Sequence, residues 1–216
     1  MKKRLEPHIS TGNDKMGAIP SFSLPSGVTC SALACKTCHK DCYARYMELR
    51  FKTVRQSYAW NYDMVTKNME KCHEWLNWWF DSPNAPRLFR IHVSGDFFSL
   101  EYWWMWLHIA KKHPGTKFMA FTKQFDVVIV SAIMGNIPDN LVLIASAWPG
   151  VDLPEWVERR LPIAYMQDGT ETRIPENAHH CNGDCSGECS AYCWTMKPGD
   201  AVYFDKHGPN VRKKKG

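Results

Sequence analysis

Eight of the nine cysteines in this chain fall into two short windows, one near each end of the sequence. The first window holds Cys30, Cys35, Cys38 and Cys42, and the second holds Cys181, Cys185, Cys189 and Cys193. Clustered thiolates are the typical ligands of zinc and of iron–sulfur clusters. Structural zinc sites usually use pairs of ligands with two residues between them, a spacing that only Cys35 and Cys38 show. The pattern therefore favours an iron–sulfur cluster, 4Fe–4S in type, with zinc as the alternative.

The spacing of the second window also predicts how the chain bends there. On a straight helix, cysteines four residues apart drift by about 40° per step, and four of them span about 18 Å. One cluster could not collect all four, so we expect a loop that folds back at Gly183 and Gly187. Eight thiolates are enough for two sites of four, or for one site shared between the windows. His39, His179 and His180 adjoin the windows, as ligands or simply as exposed side chains.

A second group of candidate residues surrounds the end of a predicted strand in the middle of the chain. Asp96 follows Ser94 and Gly95 just past this strand, where α/β proteins place their ligands. We assign Asp96, Lys123 and His92 to catalysis. Lys123 would pair with Asp96 or bind an anion. The structural alternatives are a helix cap for Asp96, a buried hydrogen-bonded ring for His92 and a solvated Lys123.

Other features add one candidate and exclude several chemistries. Arg90 lies among apolar residues of the same strand, so it either lines an interior or marks a sheet edge. Cys72 stands alone in a predicted helix, where it is expected to be a small buried hydrophobe. The chain contains no Gly-rich phosphate loop, no H-E-x-x-H pair and no Ser-His-Asp pattern.

Alternating strands and helices are predicted to position these residues. We predict strands at 88–93, 117–121, 141–147, 162–166 and 201–204, and helices at 43–80 (one long or two joined), 99–112, 126–134 and 154–160. Ser99 suits the N-cap of the second helix. Such alternation predicts parallel strands with right-handed crossovers, and apolar strands suggest that helices cover the sheet. Only one short strand is expected before residue 30.

Composition agrees with a folded chain that carries its basic charge toward its ends. Hydrophobic residues make up 44% of the 216 residues, and the ten Trp are expected mainly in packing, with base stacking as the alternative. Residues 1–60 carry ten Lys/Arg against four Asp/Glu, and residues 206–216 carry five Lys/Arg without an acid. An anionic ligand or nucleic acid bound by these termini stays open. No apolar run spans a membrane and no signal peptide is evident, so we expect a cytoplasmic protein.

Part of the sequence resembles the radical S-adenosylmethionine (radical SAM) enzymes. Cys42-Tyr43-Ala44 is similar to the end of their cysteine loop, Ser94-Gly95-Asp96 stands where they often have Gly-Gly-Glu, and Phe121-Thr122-Lys123 stands at the next strand end. The resemblance implies a partial (β/α) TIM-like barrel and S-adenosylmethionine as a possible cofactor. It also implies that Ser94, Gly95 and Asp96 bind that cofactor. The usual C-x3-C-x2-C signature is absent, and Cys35, Cys38 and Cys42 show the reversed spacing.

A closer resemblance is to the phage-encoded family called gene product eighty-eight. It is carried by Phe22-Ser23-Leu24-Pro25, by residues 38–44, by residues 90–98, by Phe121-Thr122-Lys123 and by Cys193-Trp194. It covers most of the chain and implies a viral or prophage origin, with the host cytoplasm as the location. It implies no particular activity.

These observations lead to one expected architecture and three functional hypotheses. We expect a single domain over 1–216, with a cysteine loop at 30–42, a β/α core at 88–166, a cysteine-rich loop at 179–195 and a basic tail at 206–216. The first hypothesis is an iron–sulfur protein on a radical SAM-like barrel, with its enzymatic character left open. The second is a zinc- or iron–sulfur-stapled module that binds nucleic acid or a host protein. The third is an electron carrier.

Overall fold

The computed structural model describes residues 5–13, 16–183, 185 and 190–206, which form one eight-stranded sheet with helices between its strands. The strands are β1 Ile9–Ser10, β2 Ser21–Phe22, β3 Leu88–Ile91, β4 Lys117–Thr122, β5 Leu141–Ala147, β6 Ile163–Gln167, β7 His179–His180 and β8 Ala201–Asp205. The helices are α1 Ala32–Thr37, α2 Tyr43–Arg50, α3 Lys52–Lys67, α4 Met69–Phe80, α5 Leu100–Lys112, α6 Phe125–Ile133, α7 Glu155–Arg160 and α8 Ser190–Cys193, with a 3-10 turn at His39–Asp41. None of these helices is long and apolar enough to cross a membrane.

The order of the strands in the sheet nearly follows their order in the chain. The sheet runs β1-β2-β3-β4-β5-β6-β8-β7, and every neighbouring pair is parallel except β1 with β2. The described sheet stays open, with β1 and β7 at its two edges. This confirms the predicted α/β class with parallel strands. Because parallel strands end at the same edge of a sheet, the segments that follow them meet there.

Both faces of the sheet are covered, which explains why its strands lack polar alternation. Successive strand residues point to opposite faces. In β4, Phe118 and Ala120 belong to the core under the helices, whereas Met119 belongs to a second core that contains Trp194 and Met196. All seven residues of β5 are buried. The helices therefore cover one face, and the segment after the second cysteine window packs on the other.

The prediction of one long helix or two joined helices over residues 43–80 is wrong in the number of helices. The chain forms three helices there, with breaks at Phe51 and Asn68. Phe51 has extended dihedral angles and Asn68 lies at φ −144°, ψ 39°, although neither is a strong helix breaker in sequence. The prediction for the next helix is confirmed, because the Ser99 hydroxyl accepts a hydrogen bond from the Tyr102 amide at 3.2 Å. In the described part of the chain before residue 30, two short strands form rather than one.

Most of the tryptophans serve packing, as predicted. Trp103 and Trp106 on α5 are fully buried, and the Trp103 indole N–H donates to the Ser131 hydroxyl at 3.0 Å. Trp78 on α4 and Trp104 on α5 are exceptions, because about half of each side chain is exposed. Cys72 is fully buried in the same core, which agrees with its predicted role as a small hydrophobe.

Candidate metal centre

A cavity of about 320 Å³ lies at the carboxyl ends of the parallel strands. Thiols from both cysteine windows line it: Cys30, Cys38 and Cys42 from the first, and Cys181, Cys185 and Cys193 from the second. The same wall includes the polar residues predicted from the middle of the chain: Arg90, His92, Ser94, Gly95, Asp96 and Lys123. The fold therefore brings three distant parts of the sequence to one place.

The first window is shaped by the caps of two helices. The Ser31 hydroxyl accepts a hydrogen bond from the Ala34 amide at 3.1 Å and caps the start of α1, and Cys38 is the C-cap of the same helix. Cys42 is the N-cap of α2, and its sulfur accepts from the Arg45 amide at 3.5 Å. Because both thiols sit at helix ends rather than on helix faces, they can converge on one cavity.

Burial distinguishes the thiols within this window. Burial raises the pKa of the Cys30 thiol to about 12, although the Gly27 amide donates to its sulfur at 3.3 Å. The pKa of Cys38 is also raised by burial. Cys35 is exposed and is absent from the cavity wall. A bound metal ion opposes the effect of burial, because it stabilises the thiolate directly.

The second window enters the cavity from the far edge of the sheet. Cys181 directly follows β7, and its amide donates to the Tyr203 carbonyl on β8 at 2.7 Å. Cys193 ends α8, and the next residue, Trp194, is buried. Cys189, also predicted as a ligand, lies outside the described residues together with the predicted turn at Gly187. The predicted turn at Gly183 is described, with φ +87°.

The histidines beside the second window stack on tyrosines. His179 lies 4.4 Å from the Tyr192 ring and His180 lies 4.7 Å from the Tyr203 ring, measured between centroids. His180 also meets the Asp205 carboxylate at 3.2 Å. Across the described residues, no three Cys, His, Asp or Glu side chains form a group ready to hold a single metal ion. The cavity wall instead offers six thiols, the donor type that iron–sulfur clusters use.

An ion pair joins the first window to the last long strand. The Lys206 ammonium lies 2.9 Å from the Asp41 carboxylate, and the Asp41 side chain is only 10% exposed. The Lys206 amide in turn donates to the Gln167 carbonyl at the end of β6 at 2.7 Å. The loop after β2 is thereby tied to strands on the other side of the sheet, across the mouth of the cavity.

Asp96 links two strand ends and does not cap a helix. Its carboxylate accepts hydrogen bonds from the amides of Phe97 (2.8 Å) and Lys123 (2.7 Å) and from the Thr122 hydroxyl (2.7 Å). Burial raises its pKa, and these three hydrogen bonds and the nearby Lys123 charge oppose that rise. The helix that follows is capped by Ser99 instead. Asp96 thus fixes the end of β3 against the end of β4 while lining the cavity.

Lys123 meets Asp96 through its backbone, and its side chain takes a different direction. The Lys123 ammonium donates to the Ser146 hydroxyl at 2.8 Å and lies 5.2 Å from the centre of the Trp148 ring. Both partners belong to the end of β5 and line the cavity. The predicted side-chain pair between Lys123 and Asp96 is therefore replaced by an amide–carboxylate hydrogen bond.

His92 is held in an unusual backbone conformation next to a basic side chain. Its φ is +63°, the only positive value among the described residues other than glycine. The ring nitrogen Nε2 lies 2.7 Å from the Tyr102 hydroxyl, while Nδ1 is buried without a partner among the described residues. Burial, and then the charge of Arg90, lower the His92 pKa to about 3. The ring is therefore neutral at physiological pH, as a buried structural histidine would be.

We expect His92 to make the protein less stable in mild acid. Its pKa is 6.5 in the unfolded chain and about 3 in the fold, so acid protonates the unfolded state first. The neutral His92 ring makes its full contribution to the free energy of unfolding above pH 6.5. Lowering the pH from 6.5 to 4.5 should reduce that free energy by about 2 kcal/mol. Urea unfolding of the wild type and of His92→Asn, whose side chain tolerates positive φ, tests this. Equal pH dependence in the two proteins would contradict it.

Two features of the site were missed from sequence. Glu48 on α2 is buried, and its carboxylate accepts from the Ser26 amide (2.9 Å) and from the Ser94 hydroxyl (3.2 Å). Nothing in the helical pattern around Glu48 distinguishes it from a solvated residue. The Ser94 carbonyl accepts from the Leu24 amide at 2.9 Å, so the predicted cofactor-binding turn is packed against the loop after β2.

Comparison with known proteins shows the relatives of this chain. A family model described as Gene product 88 matches residues 2–178. The Gene 88 protein of Mycobacterium phage L5 is 32% identical over 192 residues, covering 79% of this chain and 79% of the relative. The Gene 88 protein of Mycobacterium phage D29 is 32% identical over 191 residues, covering 78% of each. No solved structure matches the chain. Since both the model and these relatives extend over most of its length, the chain belongs to the Gene product 88 family of phage proteins.

Proposed function

We propose that this protein binds an iron–sulfur cluster, 4Fe–4S in type, between its two cysteine windows. The observation that carries the proposal is that six thiols, three from each window, line one cavity at the carboxyl ends of the strands. Cysteine thiolates are the usual ligands of such clusters. The carboxyl edge of a parallel sheet is also where α/β proteins place their reactive groups.

The first window supplies Cys30, Cys38 and Cys42 as ligands in this proposal. All three line the cavity, whereas Cys35 is exposed and outside it. The sequence offered eight thiols as candidate ligands, and the position of Cys35 removes it from that set. The thiols of the second window face the same cavity, so they would complete the coordination of a shared cluster or hold a second one.

The arrangement of the strands supports a partial (β/α) TIM-like barrel that resembles the radical SAM fold. From β2 to β6, strands that follow each other in the chain are also parallel neighbours in the sheet, without a reversal of order. That order is typical of β/α barrels, whereas doubly wound sheets reverse at a switch point. The ion pair between Asp41 and Lys206 joins the two sides of the open sheet at its carboxyl end.

The cavity beside the thiols is the reason to propose activation of a substrate or cofactor. An iron–sulfur cluster supplies single electrons, and an iron without a protein ligand can bind a cofactor such as S-adenosylmethionine. Asp96 and Lys123 line the cavity and would orient the ligand electrostatically. The host cytoplasm, which keeps thiols reduced, would be the place of action.

Anaerobic purification of the full chain from iron-supplemented cells tests the proposal. We expect a brown protein with an absorption band at about 400 nm. It should contain about four iron ions and four sulfide ions per cluster, because thiolate-bound iron clusters show these features. Dithionite reduction should give an electron paramagnetic resonance signal. If S-adenosylmethionine changes that signal, an iron is open to the cofactor, whereas an unchanged signal would indicate a fully thiolate-bound electron carrier. A colourless protein that contains zinc would contradict the proposal.

That zinc outcome would favour the second candidate, a metal-stapled module that binds nucleic acid. The observation behind it is the exposed basic surface of α2 and α3, where Arg45, Arg50, Lys52 and Arg55 all face solvent. Glu48 is the single acid between residues 43 and 62, and it is buried. Such a surface would contact phosphates in a salt-dependent manner. Of the basic ends of the chain that first suggested nucleic acid, residues 1–4 and 207–216 lie outside the described residues.

A further inference from the structure

We propose that the guanidinium of Arg90 binds a carboxylate or phosphate group of the ligand in this cavity. The inference rests on the proposed function, because it takes the ligand in this cavity to be the substrate. It concerns a side chain that the proposed function leaves without a role. It also assigns a chemical class, an anion, to whatever occupies the space beside the thiols.

Two contacts hold the Arg90 side chain in a fixed orientation. Its Nε donates to the His92 carbonyl at 3.0 Å, and its central carbon lies 4.2 Å above the centre of the Phe121 ring. Stacking of this kind stabilises a guanidinium and restricts its rotation. The left-handed backbone of His92 contributes to this geometry, because it sets the direction of the carbonyl that accepts the hydrogen bond from the Arg90 Nε. The group is therefore ordered before any ligand arrives.

The remaining donors of Arg90 have no partner within the described part of the chain. The hydrogen bond to His92 is its one hydrogen bond there, and it makes no ion pair with a described carboxylate. Its four Nη–H groups form a planar fork that matches two oxygens of a carboxylate or phosphate. Since Arg90 lines the cavity, an anion that enters can complete this set of hydrogen bonds.

The charges on the cavity wall also favour an anion. Of the acids that line it, Asp41 is paired with Lys206, and Asp96 already accepts three hydrogen bonds from its own chain. Lys123 meets a hydroxyl and an aromatic ring, and no described carboxylate pairs with it. Neither Arg90 nor Lys123 therefore forms an ion pair with a described carboxylate. Burial lowers the Arg90 pKa to about 10, which leaves it charged at neutral pH.

A competing role for Arg90 is that of a counter-ion for thiolates of the second window. Cys185 and Cys193 are the groups whose charges raise the Arg90 pKa, so they lie near it. A thiolate offers one acceptor atom and does not match the two prongs of the planar guanidinium fork, whereas paired oxygens do. We therefore favour an oxygen anion, and the experiment below separates the two roles.

Titration of the purified full chain with small anions tests the inference. Inorganic phosphate and carbon-labelled acetate, each followed by NMR line broadening at constant ionic strength, represent the two oxygen-anion classes. We expect saturable binding of at least one of them. Arg90→Gln should weaken it by about tenfold or more, because a charge-assisted bidentate contact is lost. Arg87→Gln is the matched control, since it removes the same charge from an exposed position just before β3.

The iron content and reduction potential of the same samples distinguish the outcomes. Absence of saturable binding of either anion, or equal weakening by Arg87→Gln and Arg90→Gln, would overturn the inference. So would a change in potential in Arg90→Gln with unchanged anion binding, which would identify Arg90 as a counter-ion of the thiolates. Anion binding by a protein without iron would preserve this inference and defeat the proposed function.

Discussion

Replacing Cys38 by serine is expected to remove nearly all iron from the protein, a reduction of more than about tenfold. The Cys38 thiol lines the cavity and donates to the Ala34 carbonyl at 3.3 Å. A serine hydroxyl can keep that hydrogen bond, so the variant should fold, yet it cannot supply the thiolate that a cluster needs. The measurement is iron and acid-labile sulfide per chain after anaerobic purification, with circular dichroism to verify folding.

Cys35→Ser is the matched control for this prediction. Cys35 lies three residues away on the same helix, but it is exposed and its sulfur only approaches the Gly27 carbonyl at 3.7 Å. We expect this variant to retain iron close to the wild-type level. Equal losses in both variants would contradict the ligand assignment. Loss of only half of the iron in Cys38→Ser would indicate two independent clusters instead of one shared between the windows.

The core of the fold could be predicted from sequence because its signals are local. Strand β5 was predicted at its observed bounds, since six apolar residues and one serine form a run that is bounded by turn residues on both sides. Ser99 identified the start of α5 because its hydroxyl caps the helix through a contact three residues away. The breaks at Phe51 and Asn68 could not be predicted, because tertiary packing rather than residue type sets the ends of α2 and α3 there.

Most residues that line the cavity could be predicted from sequence, but the contacts between them could not. Cysteine spacing identified the two windows, and the strand-end position identified Asp96 and Lys123. Their actual hydrogen bonds depend on how β3, β4 and β5 lie side by side, which no local pattern encodes. Glu48 was missed for the same reason, because its partners Ser26 and Ser94 are 22 and 46 residues away. The exposure of Cys35 likewise follows from the turn that the helix caps impose.

Gly95→Ala is expected to lower the free energy of unfolding by about 2–4 kcal/mol. Gly95 has φ +85°, which costs about 1 kcal/mol or more for a residue with a side chain. An added Cβ would also lie 2.6 Å from the Thr29 hydroxyl oxygen and 2.7 Å from the Leu24 Cβ. Neither side chain can move away easily. Leu24 is fully buried, and the Thr29 hydroxyl donates to the Pro25 carbonyl and accepts a hydrogen bond from the Asp96 amide. Such overpacking adds about 1–3 kcal/mol.

Two other glycines separate the two causes of this loss. Gly150 has φ +73° but no atom within 4 Å of an added Cβ, so Gly150→Ala should show the backbone strain alone. Gly115 has neither feature, and Gly115→Ala should stay within about 0.5 kcal/mol of the wild type. Denaturant unfolding of the three variants gives the comparison. If Gly95→Ala costs no more than Gly150→Ala, the close packing of the β3 end on the loop before Cys30 is not what holds this edge of the cavity. If it costs more and also reduces bound iron, that packing positions the first cysteine window, because the loop compressed by the new methyl group leads directly into Cys30.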